Sequence, residues 1–281
     1  MVSIAHRRLM TILVVLVSTL LLVAFLAWVF QERIAFQPPG GPYPDPGAVE
    51  RVNYSARDGQ SLFAYVIGDH AVSRGALIVF HGNADIAVRS IDWAQDIVDR
   101  TGIVVMLAEY RGYMGLEGRP SYEGARHDAE AAYRYATDSL QVRPERLAYY
   151  GHSLGSGIAA ELAAKHPPRV LLLESPFTSA KDMAASMVGR WFTSTIWRFV
   201  SRVHFDTVRN VESLDLPVSV THGGRDMIVP SWMGEAVYKS ARRKGEWFFV
   251  PDAGHNDLRV TGGEGYWQWF TASLAPLTLA K

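Results

Sequence analysis

The chain has 281 residues, is 48% hydrophobic, and carries 28 basic and 28 acidic side chains with no cysteine. That length accommodates one core-bearing domain plus an appendage. A formal charge of zero, with no basic patch interleaved with aromatics, argues against nucleic acid as a partner, and the missing thiols exclude disulfides, zinc–thiolate sites and thiol redox chemistry.

Residues 1–8 end in Arg7 and Arg8, and residues 9–30 then run without a charge. At ~1.5 Å per residue such a helix crosses ~30 Å of hydrocarbon, with Trp28 and Phe30 near the far interface. Arg7 and Arg8 precede the run, while Glu32 and Arg33 cancel after it. The positive-inside rule predicts a cytoplasmic N-terminus, with the rest of the chain on the exported (periplasmic or extracytoplasmic) side of a single-pass anchor. The alternative is a cleaved signal peptide, whose apolar region is usually shorter and which needs a small-x-small site not found over 24–31. Residues 31–48 are dominated by Pro and Gly from Gln37 to Gly47, a density that sustains neither helix nor central strand. An extended, semi-stiff spacer is predicted, holding residues 49–281 a short distance off the bilayer.

The remainder alternates. Residues 50–56 and 61–68 form a predicted hairpin closed by Asp58-Gly59. Short apolar runs at 76–80, 103–108, 147–150 and 170–173 suit strands buried on both faces, and 218–221 and 247–250 add two more. Helical faces lie between them, on Ile91, Ala94, Ile97 and Val98, and on Ala129, Ala132, Tyr133 and Ala136. The pattern predicts an α/β fold: a mostly parallel central sheet with helices on both faces and right-handed crossovers, its chemistry at the carboxyl ends of the strands. Over about 178–213 the alternation breaks into an aromatic-rich insertion containing Trp191, Phe192 and Trp197. It is predicted to be a small helical cap that binds substrate, against a plain amphipathic helix packed on the core or a membrane-facing surface.

The chemistry-bearing loops follow those strands. Gly151-His152-Ser153-Leu154-Gly155 has the G-x-S-x-G form of a nucleophile elbow, where Gly151 and Gly155 let a strand turn sharply into a helix and expose Ser153. A serine hydroxyl needs a base, an orienter and oxyanion donors. His255, in a loop after the strand at 247–250, is the candidate base; Asp226, just past the strand at 218–221, is the candidate acid. Glu174, at a strand end beside the elbow, is the rival acid. The backbone amides of Asn83, in His81-Gly82-Asn83, and of Leu154 are the candidate oxyanion donors, so that their side chains should matter less than their position. His152 is expected to tune pocket shape, His222 to hydrogen-bond locally, and Glu109 and Arg111 to brace loops by charge-assisted hydrogen bonds. No histidine or carboxylate spacing suggests a metal, and no cofactor is expected.

Together with Glu109-Tyr110-Arg111-Gly112-Tyr113 and Glu174-Ser175-Pro176-Phe177-Thr178, these segments resemble the membrane-anchored branch of the α/β-hydrolase superfamily from about Val49 onward. The resemblance implies Ser153 as nucleophile, Asp226 as acid and His255 as base. It departs at 113–118, where Tyr-Met-Gly-Leu-Glu-Gly replaces the usual Tyr-Gly-x-Ser and puts the shape of that pocket wall in question. The reading is a membrane-anchored serine hydrolase cleaving esters or thioesters of hydrophobic acyl groups. The alternatives are a peptidase with the same triad and a non-enzymatic anchored binding module on the same fold. Oligomeric state is not legible.

Overall fold

The computed structural model describes residues 4–70, 73–189, 193, 197 and 201–278. Trp191 and Phe192 lie outside them. Helix α1, Ile4–Ala35, contains a stretch of mean hydropathy 2.9 and is long and apolar enough to cross a membrane. Its leucines, valines and phenylalanines over 9–30 are exposed all round. The helix continues past the predicted boundary at 30, and the chain after it lies on the body of the protein. Phe36 is buried with its ring 6.4 Å from that of Phe205, and the Gln37 amide donates to Asn83 Oδ1 at 2.7 Å. The segment predicted as a spacer therefore docks: one buried aromatic and one tertiary hydrogen bond offset the entropy a free linker would keep.

Among the described residues eight strands form one sheet: β1 Glu50–Ser55, β2 Ser61–Ile67, β3 Ala76–Phe80, β4 Val104–Ala108, β5 Leu147–His152, β6 Val170–Glu174, β7 Pro217–Gly223 and β8 Arg243–Val250. Their order is β1-β2-β4-β3-β5-β6-β7-β8. The hairpin β1–β2 pairs antiparallel onto β4, and every other pairing is parallel. Strands β3, β4 and β6 are buried throughout, because helices cover both faces. Strand β8 begins four residues before the apolar run that betrays it, with Arg243, Lys244, Gly245 and Glu246. It is an edge strand, and charges there discourage pairing with another chain.

The helices that frame the site are α2 Ile91–Thr101, α3 Tyr122–Arg134, α4 Leu154–Lys165, α5 Ala180–Val188, α6 Thr207–Ser213, α7 Ser231–Ser240 and α8 Leu258–Thr278. Helix α3 starts where Ser121 Oγ accepts the Gly124 amide, and α2 ends on Gly102 in the left-handed region. Helix α8, which no run in the sequence announced, packs Tyr266, Trp269 and Phe270 under the sheet. A bridge between Ser179 and Asp206, with the Ala180 amide donating to the Phe205 carbonyl, closes the base of the segment between β6 and β7.

Candidate active site

Strand β5 delivers Ser153 at the start of α4. Its backbone sits at φ 50° and ψ −115°, a left-handed conformation costing about 1–3 kcal/mol for a residue with a side chain. The surroundings impose it: the Ser153 amide donates to the Glu174 carbonyl, and Ser156 bonds the Ser153 carbonyl with both its amide and its hydroxyl. The flanking glycines are steric requirements. A Cβ on Gly151 would lie 2.2 Å from the Gly155 carbonyl oxygen, and one on Gly155 2.0 Å from that of Phe80. Leu154 opens α4, so its amide is among those without an intrahelical partner, at the positive end of the helix.

The candidate acid and base come from the loops after β7 and β8. Asp226 Oδ2 accepts from His255 Nδ1 at 2.7 Å, while Oδ1 accepts the Ile228 and Val229 amides at 2.9 and 2.8 Å. Burial pushes the Asp226 pKa up, but the hydrogen bonds from His222 and His255 outweigh it and hold the carboxyl well below the usual range. With Nδ1 donating to Asp226, Nε2 of His255 is the nitrogen left to accept a proton. Ser153 and His255 line one cavity, and the serine hydroxyl is not bonded to the imidazole among the described residues. Such a contact commonly tightens only when substrate binds.

Glu174, the rival acid, is engaged elsewhere. Its Oε2 accepts the phenols of Tyr150 and Tyr266 at 2.7 and 2.9 Å. Burial, and then the Glu174 charge, raise both phenols well above their ordinary pKa, so both stay donors.

The candidate oxyanion loop is held from three sides. Asn83 Oδ1 accepts from the Gln37 amide, from Tyr113 Oη at 2.9 Å and from the Ala84 amide at 3.1 Å. This side chain, expected to matter less than the position of its amide, ties α1's exit and the 113–118 loop to the loop that carries it. Residues 113–118, expected as a pocket wall, line no part of the cavity and act through Tyr113. Behind the loop, His81 Nε2 meets Glu109 Oε1 at 2.8 Å, and Glu109 also accepts the Ala87 and Tyr110 amides. Burial opposes a charged His81, but the Glu109 carboxylate prevails and raises its pKa. Arg111 braces the next turn, donating to Asp128 at 2.7 Å and Asp58 at 2.6 Å.

Two further histidines lie against the candidate base and acid. His152, whose pKa burial lowers, presents a neutral ring whose Nε2 lies 3.2 Å from the His255 carbonyl. His222, fully buried, places Nε2 3.0 Å from the Val229 carbonyl and 3.3 Å from Asp226 Oδ2. Asp226 thus faces two imidazoles, which spacing alone did not reveal. Gly234 makes room: a Cβ there would meet His222 Nδ1 at 2.2 Å.

The cavity over Ser153 has a volume of about 900 Å³, in the upper part of the range for small-molecule sites. Its walls are largely apolar, from Phe177, Met183, Trp197, Val203 and Phe205 of the segment between β6 and β7, and from α1. Among the described residues no group of His, Asp or Glu could hold a metal ion.

A family described as serine aminopeptidase, S33, matches residues 71–207. The chain is 30% identical over 279 residues to an α/β hydrolase domain-containing protein of Arabidopsis thaliana, WAV2, covering 91% of this chain and 89% of that protein. It is 31% identical over 186 residues to the lysophosphatidylserine lipase ABHD12 of Danio rerio, covering 60% of this chain and 48% of the lipase. In structure it is similar to an esterase of Pyrococcus furiosus, with a TM-score of 0.67 at 16% identity, over 87% of this chain and 98% of that one.

Proposed function

The chain belongs to the α/β-hydrolase superfamily, and from that premise we propose that it is a membrane-anchored serine hydrolase acting on esters or thioesters of hydrophobic acyl groups. The observation that carries this is the buried Asp226–His255 hydrogen bond, whose histidine lines the same cavity as the strained Ser153. Ser153 Oγ attacks the acyl carbonyl as His255 Nε2 takes its proton. Asp226 fixes the tautomer and stabilises the imidazolium. The amides of Asn83 and Leu154 receive the oxyanion, a contribution of about 3 kcal/mol per donor. His255 then protonates the leaving alcohol or thiol, and water deprotonated by the same ring releases the acid.

The apolar cavity and the lipase and esterase among the similar proteins support an acyl substrate. Helix α1 is the anchor, with its N-terminus cytoplasmic and the catalytic domain on the exported side.

A fluorophosphonate probe is expected to label the full-length protein in detergent, and Ser153→Ala to abolish labelling. Labelling that persists in the variant removes Ser153 from the role. Wild type that neither labels nor hydrolyses any acyl ester favours the non-enzymatic binding module. The peptidase reading, which the aminopeptidase family match keeps in view, is separated by comparing an acyl ester with the amide of the same acyl group.

A further inference from the structure

The residues of α1 that meet the cavity are Ala27, Gln31, Ile34 and Ala35. They recur at i, i+4, i+7 and i+8 and so share one face of the helix. On a helix whose side chains over 9–23 are exposed throughout, Ala24 and Ala27 are half-buried, as are Gln31, Glu32 and Ala35. The wall therefore starts inside the apolar run, at Ala27, and continues past its end.

The contact is fastened. Arg202 pairs with Glu32 at 3.4 Å, lies 5.6 Å from the Trp28 ring centre, and donates its amide to Gln31 Oε1. Phe36 then packs on Phe205, itself a cavity residue.

We propose that the membrane helix is part of the substrate site. Its face from Ala27 to Ala35 guides the acyl chain of a single-chain lipid ester from the surrounding leaflet into the cavity over Ser153. This deepens the hydrolase reading and rests on it for the scissile ester; the lipid site itself does not depend on catalysis. Two observations favour a bilayer lipid over a soluble ester. The cavity wall is shared with a segment whose other faces require hydrocarbon, and Trp28, at the depth where aromatics favour the interface, lies beside that wall. A chain leaving the leaflet along α1 keeps apolar contact with Ala27, Ile34 and Ala35, Gln31 being the polar member of that face, whereas a long-chain ester crossing water pays about 0.8 kcal/mol for each exposed methylene.

The test uses the full-length protein in lipid nanodiscs. Ala27→Trp and Ile34→Trp fill the α1 wall; Leu20→Trp, on an exposed position away from the cavity, is the control. Each bulky wall variant is expected to lower kcat/KM for palmitoyl lysophosphatidylcholine at least tenfold, while hydrolysis of 4-nitrophenyl acetate and short-chain fluorophosphonate labelling stay within about twofold of wild type. The control should change neither. In parallel, Ser153→Ala is irradiated with a lysophospholipid carrying a diazirine on its acyl chain, and crosslinks should map to residues 27–35 and to Met183 or Trp197. Equal loss on the short and long esters, no loss on either, or crosslinks confined to other faces of α1 overturns the proposal. Crosslinks at 27–35 in a protein whose wild type is inert to every ester and probe would leave the lipid site standing and refute the hydrolase reading.

Discussion

Replacing Asp226 by Asn tests the arrangement of the acid and base most directly. The carboxylate accepts four hydrogen bonds or close polar contacts: the Ile228 and Val229 amides on Oδ1, and His255 and His222 on Oδ2. An asparagine oxygen can keep the two amides, which leaves an NH₂ facing two ring nitrogens that now also donate. His255 relieves the clash by flipping tautomer, putting its proton on Nε2, where it can no longer accept one from Ser153. The expected loss in kcat is about 10⁴-fold, on the order of 5 kcal/mol of transition-state stabilisation. The fold should survive, because the loop amides remain bonded. Since folding depresses the Asp226 pKa below its ordinary 3.8, this carboxylate stabilises the native state above that value and the contribution fades as pH falls. The Asn variant should therefore differ from wild type in urea midpoint at pH 7 and converge with it in acid. The assay is single-turnover ester hydrolysis and fluorophosphonate labelling rate in detergent, with Glu174→Gln alongside. A rate for Asp226→Asn within tenfold of wild type, or a comparable collapse in Glu174→Gln, would refute the assignment and return the orienting role to Glu174.

Gly155→Ala places a Cβ 2.0 Å from the Phe80 carbonyl oxygen, where no rotamer can relieve it. It should cost at least about 3 kcal/mol, a fall of roughly 6–12 °C in Tm by thermal unfolding of the solubilised protein; an unchanged Tm would contradict the strand–helix crossing. Asn83→Ala removes the acceptor of three hydrogen bonds behind the oxyanion amide, and a 10- to 100-fold drop in kcat with KM nearly constant is expected from steady-state kinetics. Loss confined to KM would instead place Asn83 in ground-state binding. Glu109→Gln addresses the buried pair with His81, whose pKa folding raises above 6.5. Stability from that pair is complete below the unfolded histidine pKa and is lost as pH rises through the higher folded value. The gap in urea midpoint between wild type and variant should thus be larger at pH 5.5 than at pH 8.5, and a gap that widens with pH would contradict the sign.

Local pattern made much of this protein legible. An uncharged apolar run, strands buried on both faces and a Gly-x-Ser-x-Gly turn are signals contained within a few residues, because each reflects a constraint on one element: hydrocarbon length, two-sided burial, or steric clearance at a crossing. Strand β8 is legible only in its apolar half, since an edge strand carries charges that read as loop, and α8 is hidden by Gly262, Gly263 and Gly265 near its start and Pro276 near its end, breakers that read as loop although Tyr266, Trp269 and Phe270 keep one helical face. Tertiary structure decided what distant segments do to one another. Only folding sets Asp226 between two imidazoles, occupies Glu174 with two phenols, and makes the Asn83 side chain a three-way hub beside its own backbone amide. The proline-rich stretch shows the same division: its composition forbids helix and central strand, but Phe36 meets Phe205 and Gln37 meets Asn83 across the chain. No local pattern encodes such a contact, and it is this docking that brings a helix suited to hydrocarbon against the cavity over Ser153.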